Sequence, residues 1–248
     1  MMQAFVKSFQ AFLAAASLFA AACASAAPLE GSGQAATEER PVPAFTGIAV
    51  SMPARVEVAT GAPAALSITA DDNLLARLES TVALGVLTLR FPEGLQVSPR
   101  TPIRIEVRTP SLDSIHAAGA VSVQASGVRG SRLAVEMAGA ARLELPRLDV
   151  DLLDGKISGR GELLASGRAD ALELHMTGSA RIDAGALESQ RARIAINGSG
   201  YVVIWARESI DATLIGSGYV RFVGDPIVRK RVVGSGSILR IGPAPPAR

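Results

Sequence analysis

Few residues in this chain are of types and spacings that could do chemistry. Asp149, Asp151 and Asp170, taken with His175, are the set from which a sugar-cleaving site could be assembled. Such cleavage needs two carboxylates about 5–10 Å apart, or a carboxylate-bound cation with a base. The triplet Asp71-Asp72-Asn73 offers hard oxygen ligands of the kind Ca²⁺ takes, but lacks the remaining acidic spacing of a known calcium loop, and an Asx turn or helix cap is the plainer account. The two histidines, His116 and His175, are too few and too widely spaced for a zinc site by themselves. Both stand three residues before a glycine, on the outward phase of an alternating stretch, which predicts solvated imidazoles.

Serine chemistry fails on pattern. Ser199, Ser217 and Ser235 each sit between two glycines, whereas a nucleophile elbow reads G-x-S-x-G and needs acid and histidine partners. They recur at one structural position, which marks small corner residues. The dinucleotide pattern G-x-G-x-x-G also fails at Gly198, Gly216 and Gly234, because the sixth residue is Val203, Arg221 or Leu239 and no helix follows. No catalytic residue, metal ligand or cofactor site is therefore expected. Tyr201, Tyr219 and nearby Trp205 remain as candidates for contact with a glycan or partner surface.

The elements that must position these residues announce themselves through a repeat. Gly119, Gly139, Gly159, Gly178, Gly198, Gly216 and Gly234 follow one another at steps of 20, 20, 19, 20, 18 and 18 residues. Two residues before the glycine stand Ala117, Met137, Ile157, Met176, Ile196, Leu214 and Val232; four after it stand Val123, Leu143, Leu163, Ile182, Val202, Val220 and Ile238. Each copy is thus a short alternating stretch, a corner, and a second alternating stretch. A period of two means strands with one buried face. A unit of this length with no helical period predicts an all-β fold, one coil of a parallel β-helix (β-solenoid) per 18–20 residues, with the apolar positions stacked as internal ladders. A second turn-prone point recurs at Gly127, Pro146, Gly167, Gly185 and Gly224.

On the outward phase, three residues after the corner, stand Ser122, Arg142, Glu162, Arg181, Tyr201, Tyr219 and Ser237. Stacking predicts a column in which Arg142, Glu162 and Arg181 alternate in sign and Tyr201 adjoins Tyr219. Cross-rung stabilisation is one role for it, worth at most about 1 kcal/mol per pair. Surface recognition is the other.

Composition narrows the function classes. The 248 residues carry 25 basic and 23 acidic side chains, with the basic ones scattered, so nucleic acid is not an expected partner. Ten aromatics, of which one is Trp and two are Tyr, give few platforms for sugars. Residues 1–26 read as a secretory signal peptide: Lys7, an apolar stretch from Phe9 to Ala22, and the cleavage pattern Ala24-Ser25-Ala26. The sole cysteine, Cys23, is either removed with that peptide or is a lipidation site if cleavage falls before it. Residues 27–43, rich in Ala, Gly, Pro and Glu, read as a flexible leader. The folded unit is then 44–241, with N-terminal coils and a cap over 44–110 and glycine-corner repeats over 111–241, followed by a Pro-rich tail, 242–248. No later apolar run reaches the roughly 18 residues of a membrane span. In the N-terminal part, a helical turn is expected over Asp72–Leu78, with Asp72 or Asn73 as N-cap.

Phe45-Thr46-Gly47-Ile48-Ala49-Val50, then Val56-Glu57-Val58, then Leu66-Ser67-Ile68-Thr69-Ala70-Asp71-Asp72-Asn73-Leu74-Leu75, then the Gly-Ser-Gly beats, together resemble the bacterial family called "putative auto-transporter adhesin, head GIN domain". The resemblance runs over nearly all of 44–241. It implies a right-handed, single-stranded parallel β-helix, exported or envelope-associated, of unknown biochemical function, and brings no catalytic motif. The sequence ends in its repeats and Pro-rich tail, so the many-stranded membrane barrel of a self-translocating adhesin is not expected within it. The reading is an exported non-catalytic binding module, periplasmic or secreted, or lipid-anchored through Cys23, with a glycan or envelope component as partner. The alternative is a polysaccharide lyase or hydrolase on the same scaffold.

Overall fold

Alternation of Val, Ile and Leu with polar residues commits most of the chain to strand. The computed structural model describes residues 28–243, and Cys23 and the signal-peptide segment lie outside them. The fold is a parallel β-solenoid of about six turns.

The coils are built by β10 (Ser114–Gly119), β11 (Ser122–Ser126), β12 (Arg129–Gly139), β13 (Arg142–Gly159), β14 (Glu162–Gly178), β15 (Arg181–Gly198), β16 (Tyr201–Gly216), β17 (Tyr219–Val223), β18 (Ile227–Gly234) and β19 (Ser237–Gly242). All pair in parallel, and the seven corner glycines lie in register from Gly119 to Gly234. Two walls meet at that corner. One carries the stretch before the glycine and the other the stretch after it. A narrow third side pairs Arg129-Gly130, Asp149-Val150, Arg168-Ala169, Glu188-Ser189 and Trp205-Ala206.

Inside, the two ladders are buried from Ala117 to Leu214 and from Val123 to Val220. Each large side chain removed from water contributes roughly 1.5–3 kcal/mol. Glycine at the corner is required twice over. Its φ is positive in every coil, from +83° at Gly139 to +132° at Gly198. The corners also pack backbone on backbone: a Cβ on Gly198 would sit 2.2 Å from the Gly178 carbonyl oxygen, whereas one on Gly119, at the start of the stack, would meet nothing within 4 Å.

The N-terminal part does not simply precede this stack. β3 (Gly47–Val50) and β4 (Arg55–Thr60) lie directly under β10 and β11. The next layer down is later in sequence: β7 (Val86–Arg90) pairs with β3, and β9 (Arg104–Thr109) with β4. The chain therefore lays one layer, descends to place a second beneath it, then crosses back over both. Three antiparallel strands close that end: β5 (Ala65–Asp71) on β9, β2 (Ala35–Arg40) on β5, and β6 (Glu79–Ala83) on β7. The helical turn is shorter than its sequence pattern suggests, α1 spanning Asp72–Leu75, with Asp71 rather than Asp72 or Asn73 at the N-cap.

The largest departure from the sequence reading is residues 28–43, which are not a free leader. Besides β2, this segment forms β1 (Leu29–Glu30), paired in parallel with β8 (Val97–Ser98). Gly31 approaches the carboxylate of Asp71 so closely that a Cβ there would fall 1.9 Å from Oδ2. Gly31, one of the glycines that suggest flexibility, is here the residue small enough to lie against a buried charge.

Candidate interaction surface

The Asp71-Asp72-Asn73 triplet is spent on that closure. Asp71 is fully buried, and its carboxylate accepts hydrogen bonds from the backbone N–H groups of Gly33 (3.0 Å), Arg100 (2.9 Å) and Thr101 (3.2 Å). Burial pushes its carboxyl up, but the hydrogen bonds from Thr101, Arg100 and Gly33 outweigh this and hold it below the ordinary carboxylate range. Ser32 donates its hydroxyl to Asp72 and its N–H to Asn73 Oδ1, and Asn73 Nδ2 donates to the Glu30 carbonyl. These oxygens and amides clasp the N-terminal segment to α1.

In the proposed sugar-cleaving set the aspartates are neighbours, Asp151 and Asp170 standing at equivalent places in successive coils, but His175 does not join them. Asp149 lies on the third side, in register with Arg129 and Arg168, and Arg168 donates to Asp170 at 2.9 Å. His175 lies past the next corner, in register with Lys156. It lines a shallow trough of about 490 Å³ on the first wall together with His116, Glu136 and Lys156. Both imidazoles are solvent-exposed, His116 Nδ1 standing 3.1 Å from Glu136 Oε2 and Lys156 Nζ 3.6 Å from Glu136 Oε1. Asp149 thus stands on the third side, Asp151 and Asp170 at the turn that follows it, and the histidines further along on the first wall.

The outward column on the second wall is continuous. Arg142 bonds Glu162 in the next coil and, at 2.9 Å, Glu144 in its own. Glu162 Oε1 is 4.0 Å from Arg181 Nε, and the Arg181 guanidinium lies 4.8 Å from the centroid of the Tyr201 ring. Arg221 approaches the same ring at 5.5 Å. Tyr219 is in register with Tyr201 and about half exposed. Each exposed ion pair is worth about 0–1 kcal/mol, and each cation–π contact about 0.5–1 kcal/mol. The column therefore contributes modestly to stability while leaving a phenol and two guanidiniums facing solvent.

Trp205 does not join this surface, since it is only 7% exposed. In its coil Ile204 and Trp205 are consecutive, whereas their partners Ala184 and Glu188 in the coil below are separated by Gly185, Ala186 and Leu187. The chain is thus shorter by three residues at that corner, where Trp205 comes into register with Glu188. Its Nε1 has no hydrogen-bond partner among the described residues, and its backbone carbonyl accepts from Ser189 Oγ at 2.7 Å. The step of 18 from Gly198 to Gly216, against 20 from Gly178 to Gly198, was the available signal that this coil is built differently.

These features define a class: a capped parallel β-solenoid whose polar side chains stand outward in straight columns. Residues 44–226 match the family described as "Putative auto-transporter adhesin, head GIN domain", and the chain belongs to that family. Solved structures share the fold. A protein from Bacteroides fragilis described as a "putative adhesin" superimposes with a TM-score of 0.80 at 23% identity, over 86% of this chain and 100% of that one. One from Parabacteroides distasonis, described as a "putative lipid binding protein", gives 0.72 at 24%, over 86% and 99%. A "putative adhesin" from Parabacteroides merdae gives 0.67 at 21%, over 86% and 98%. No curated protein matches. The family and fold are those of an adhesin-type module, and no helix among the described residues is long and apolar enough to cross a membrane.

Proposed function

We propose that this chain is an exported, non-catalytic binding module that holds a glycan or another envelope component against the second wall of its solenoid, at Tyr201 and Tyr219. The observation that carries this reading is the Tyr201 ring set between two guanidiniums, at 4.8 and 5.5 Å, with the half-exposed Tyr219 ring one coil further on. The half-exposed Tyr219 ring offers a flat face to the C–H face of a sugar, and the guanidiniums around Tyr201 bind carboxylate or phosphate substituents bidentately. The strands fix the backbone beneath all four groups, so no backbone ordering opposes contact.

Export rests on residues 1–26 acting as a signal peptide, with Cys23 as the point of lipid attachment if cleavage precedes it. Mass spectrometry of the mature N-terminus tests this directly: an unmodified start at Ala27 excludes the anchor. The binding claim is tested by screening the purified chain against glycans and envelope fractions, alongside Tyr201→Ser/Tyr219→Ser. Loss of binding with a nearly unchanged melting temperature supports it. A lowered melting temperature with binding intact would assign the column to cross-coil stabilisation alone.

A further inference from the structure

The outside of the rod is polar along most of its length and changes character at the C-terminal end. Eight large apolar side chains are exposed among the described residues, and seven of them are Ile215, Tyr219, Ile227, Val232, Val233, Leu239 and Ile241. The same end is basic: from Pro226 to Pro243 stand Arg229, Lys230, Arg231 and Arg240 with no acidic residue, on a chain whose net charge is only +2. Arg240 is held by the Gly224 carbonyl and Asp225, while Arg229, Lys230 and Arg231 are exposed and enter no ion pair among the described residues. Most of this surface lies beyond residue 226, where the family match stops.

We infer that this end of the solenoid is a docking surface for an anionic lipid bilayer. Exposed aliphatic side chains rimmed by lysine and arginine are the combination that binds a bilayer interface, the cations drawn to lipid phosphates and the apolar groups entering the boundary between headgroups and acyl chains. Depth is limited by the outer edges of β18 and β19, which have no partner strand among the described residues and whose N–H and C=O groups would be costly to place in hydrocarbon. A second copy of the chain fits this end poorly. Joined tail to tail, two such ends would set like charges together. Any added coil or partner strand would also bury the Lys230 ammonium, which occupies the column filled one coil earlier by the buried Ala212.

The test is co-sedimentation of the purified chain with vesicles of phosphatidylglycerol and phosphatidylethanolamine, and with vesicles of phosphatidylcholine. Binding at least about tenfold tighter to the anionic vesicles is expected, falling about tenfold or more in Arg229→Gln/Lys230→Gln/Arg231→Gln. A several-fold loss is expected in Ile227→Ser/Val233→Ser/Leu239→Ser, with melting nearly unchanged because all three side chains are already in solvent. Tyr201→Ser, at a residue outside this exposed apolar set, leaves vesicle binding intact, which separates this site from the lateral one. Equal affinity for both vesicles overturns the inference. So does binding to inorganic polyphosphate that matches the vesicle affinity and ignores the apolar variant, which would mark a soluble polyanion as ligand. Concentration-dependent association of the chain that the same substitutions abolish would instead make the end a self-contact.

Discussion

At its N-terminal end the solenoid is sealed. β5 and β6 run antiparallel to the stack beneath, β2 pairs antiparallel with β5, α1 buries Leu74 and Leu75, and a buried aspartate ties the entering segment to the loop at Arg100 and Thr101. At the C-terminal end, the inner ladders run out into solvent: Val232, in the column where Ile196 and Leu214 are buried, is 37% exposed. Both ends face the same hazard, an unpaired sheet edge that could recruit another chain. One end meets it with structure and the other with charge, since Arg229, Lys230 and Arg231 follow one another along β18 and Lys230 takes an inward position. The teaching is that a repeat fixes only the middle of such a rod, while each end is solved separately and is where individuality resides.

The sharpest way to probe this difference is to make the same lesion in the middle and at the open end. Gly198→Ala drives a Cβ to 2.2 Å from the Gly178 carbonyl oxygen at a φ of +132°, with coils packed on both sides. A loss on the order of 3–5 kcal/mol is expected in chemical denaturation. Gly234→Ala makes a similar clash, 2.4 Å from the Gly216 oxygen, but in the last coil, which can fray. Its cost should stay below about 1 kcal/mol. Equal losses would mean that the outermost coil folds as one unit with the rest.

Asp71→Ala leaves three N–H donors without their buried acceptor and frees the N-terminal segment. The melting temperature should fall by on the order of 10 °C, and limited proteolysis should then cut within residues 28–43. Acid repeats the experiment reversibly. Because the carboxyl of Asp71 is depressed in the folded chain, its contribution is complete above the unfolded value of about 3.9 and is lost as pH falls through the lower folded value. Circular dichroism melts between pH 5 and pH 2 should show that loss in the native chain and a shallower one in Asp71→Asn.

Smaller effects are expected at the two edges. Lys230→Val should change stability by less than about 1 kcal/mol yet promote association seen by light scattering, because it removes the charge that discourages a further strand. Leu84→Asn should stabilise by roughly 0.5–1 kcal/mol. Leu84 and Gly85 join β6 to β7 with φ values of +52° and +76°, and the leucine is fully exposed at a position that favours asparagine.

The middle of the rod was legible because each coil repeats one physical requirement. A glycine every 18–20 residues and apolar residues at fixed offsets can be read without knowing what they touch. The clasp was not legible, because Gly31 and Gly33 find their partner in Asp71, some 40 residues away, and nothing local distinguishes them from linker glycines. The order of layers was hidden for a related reason: β7 and β9 lie beneath β3 and β4 although they follow them, a choice set by pairing rather than by pattern. At the lateral surface, Tyr201 and Tyr219 followed from the offset alone. Trp205 did not, because the coil that holds it is shorter at the neighbouring corner.

Hydrogen exchange measured by mass spectrometry addresses the central contrast most directly. Amides of β5 and β9, sealed beneath antiparallel strands, should exchange at least about a hundredfold more slowly than those of β18 and β19, with protection falling off only in the last coil. Equal protection at both ends, or faster exchange in β5 and β9 than in β18 and β19, would contradict a rod closed by structure at one end and by charge at the other.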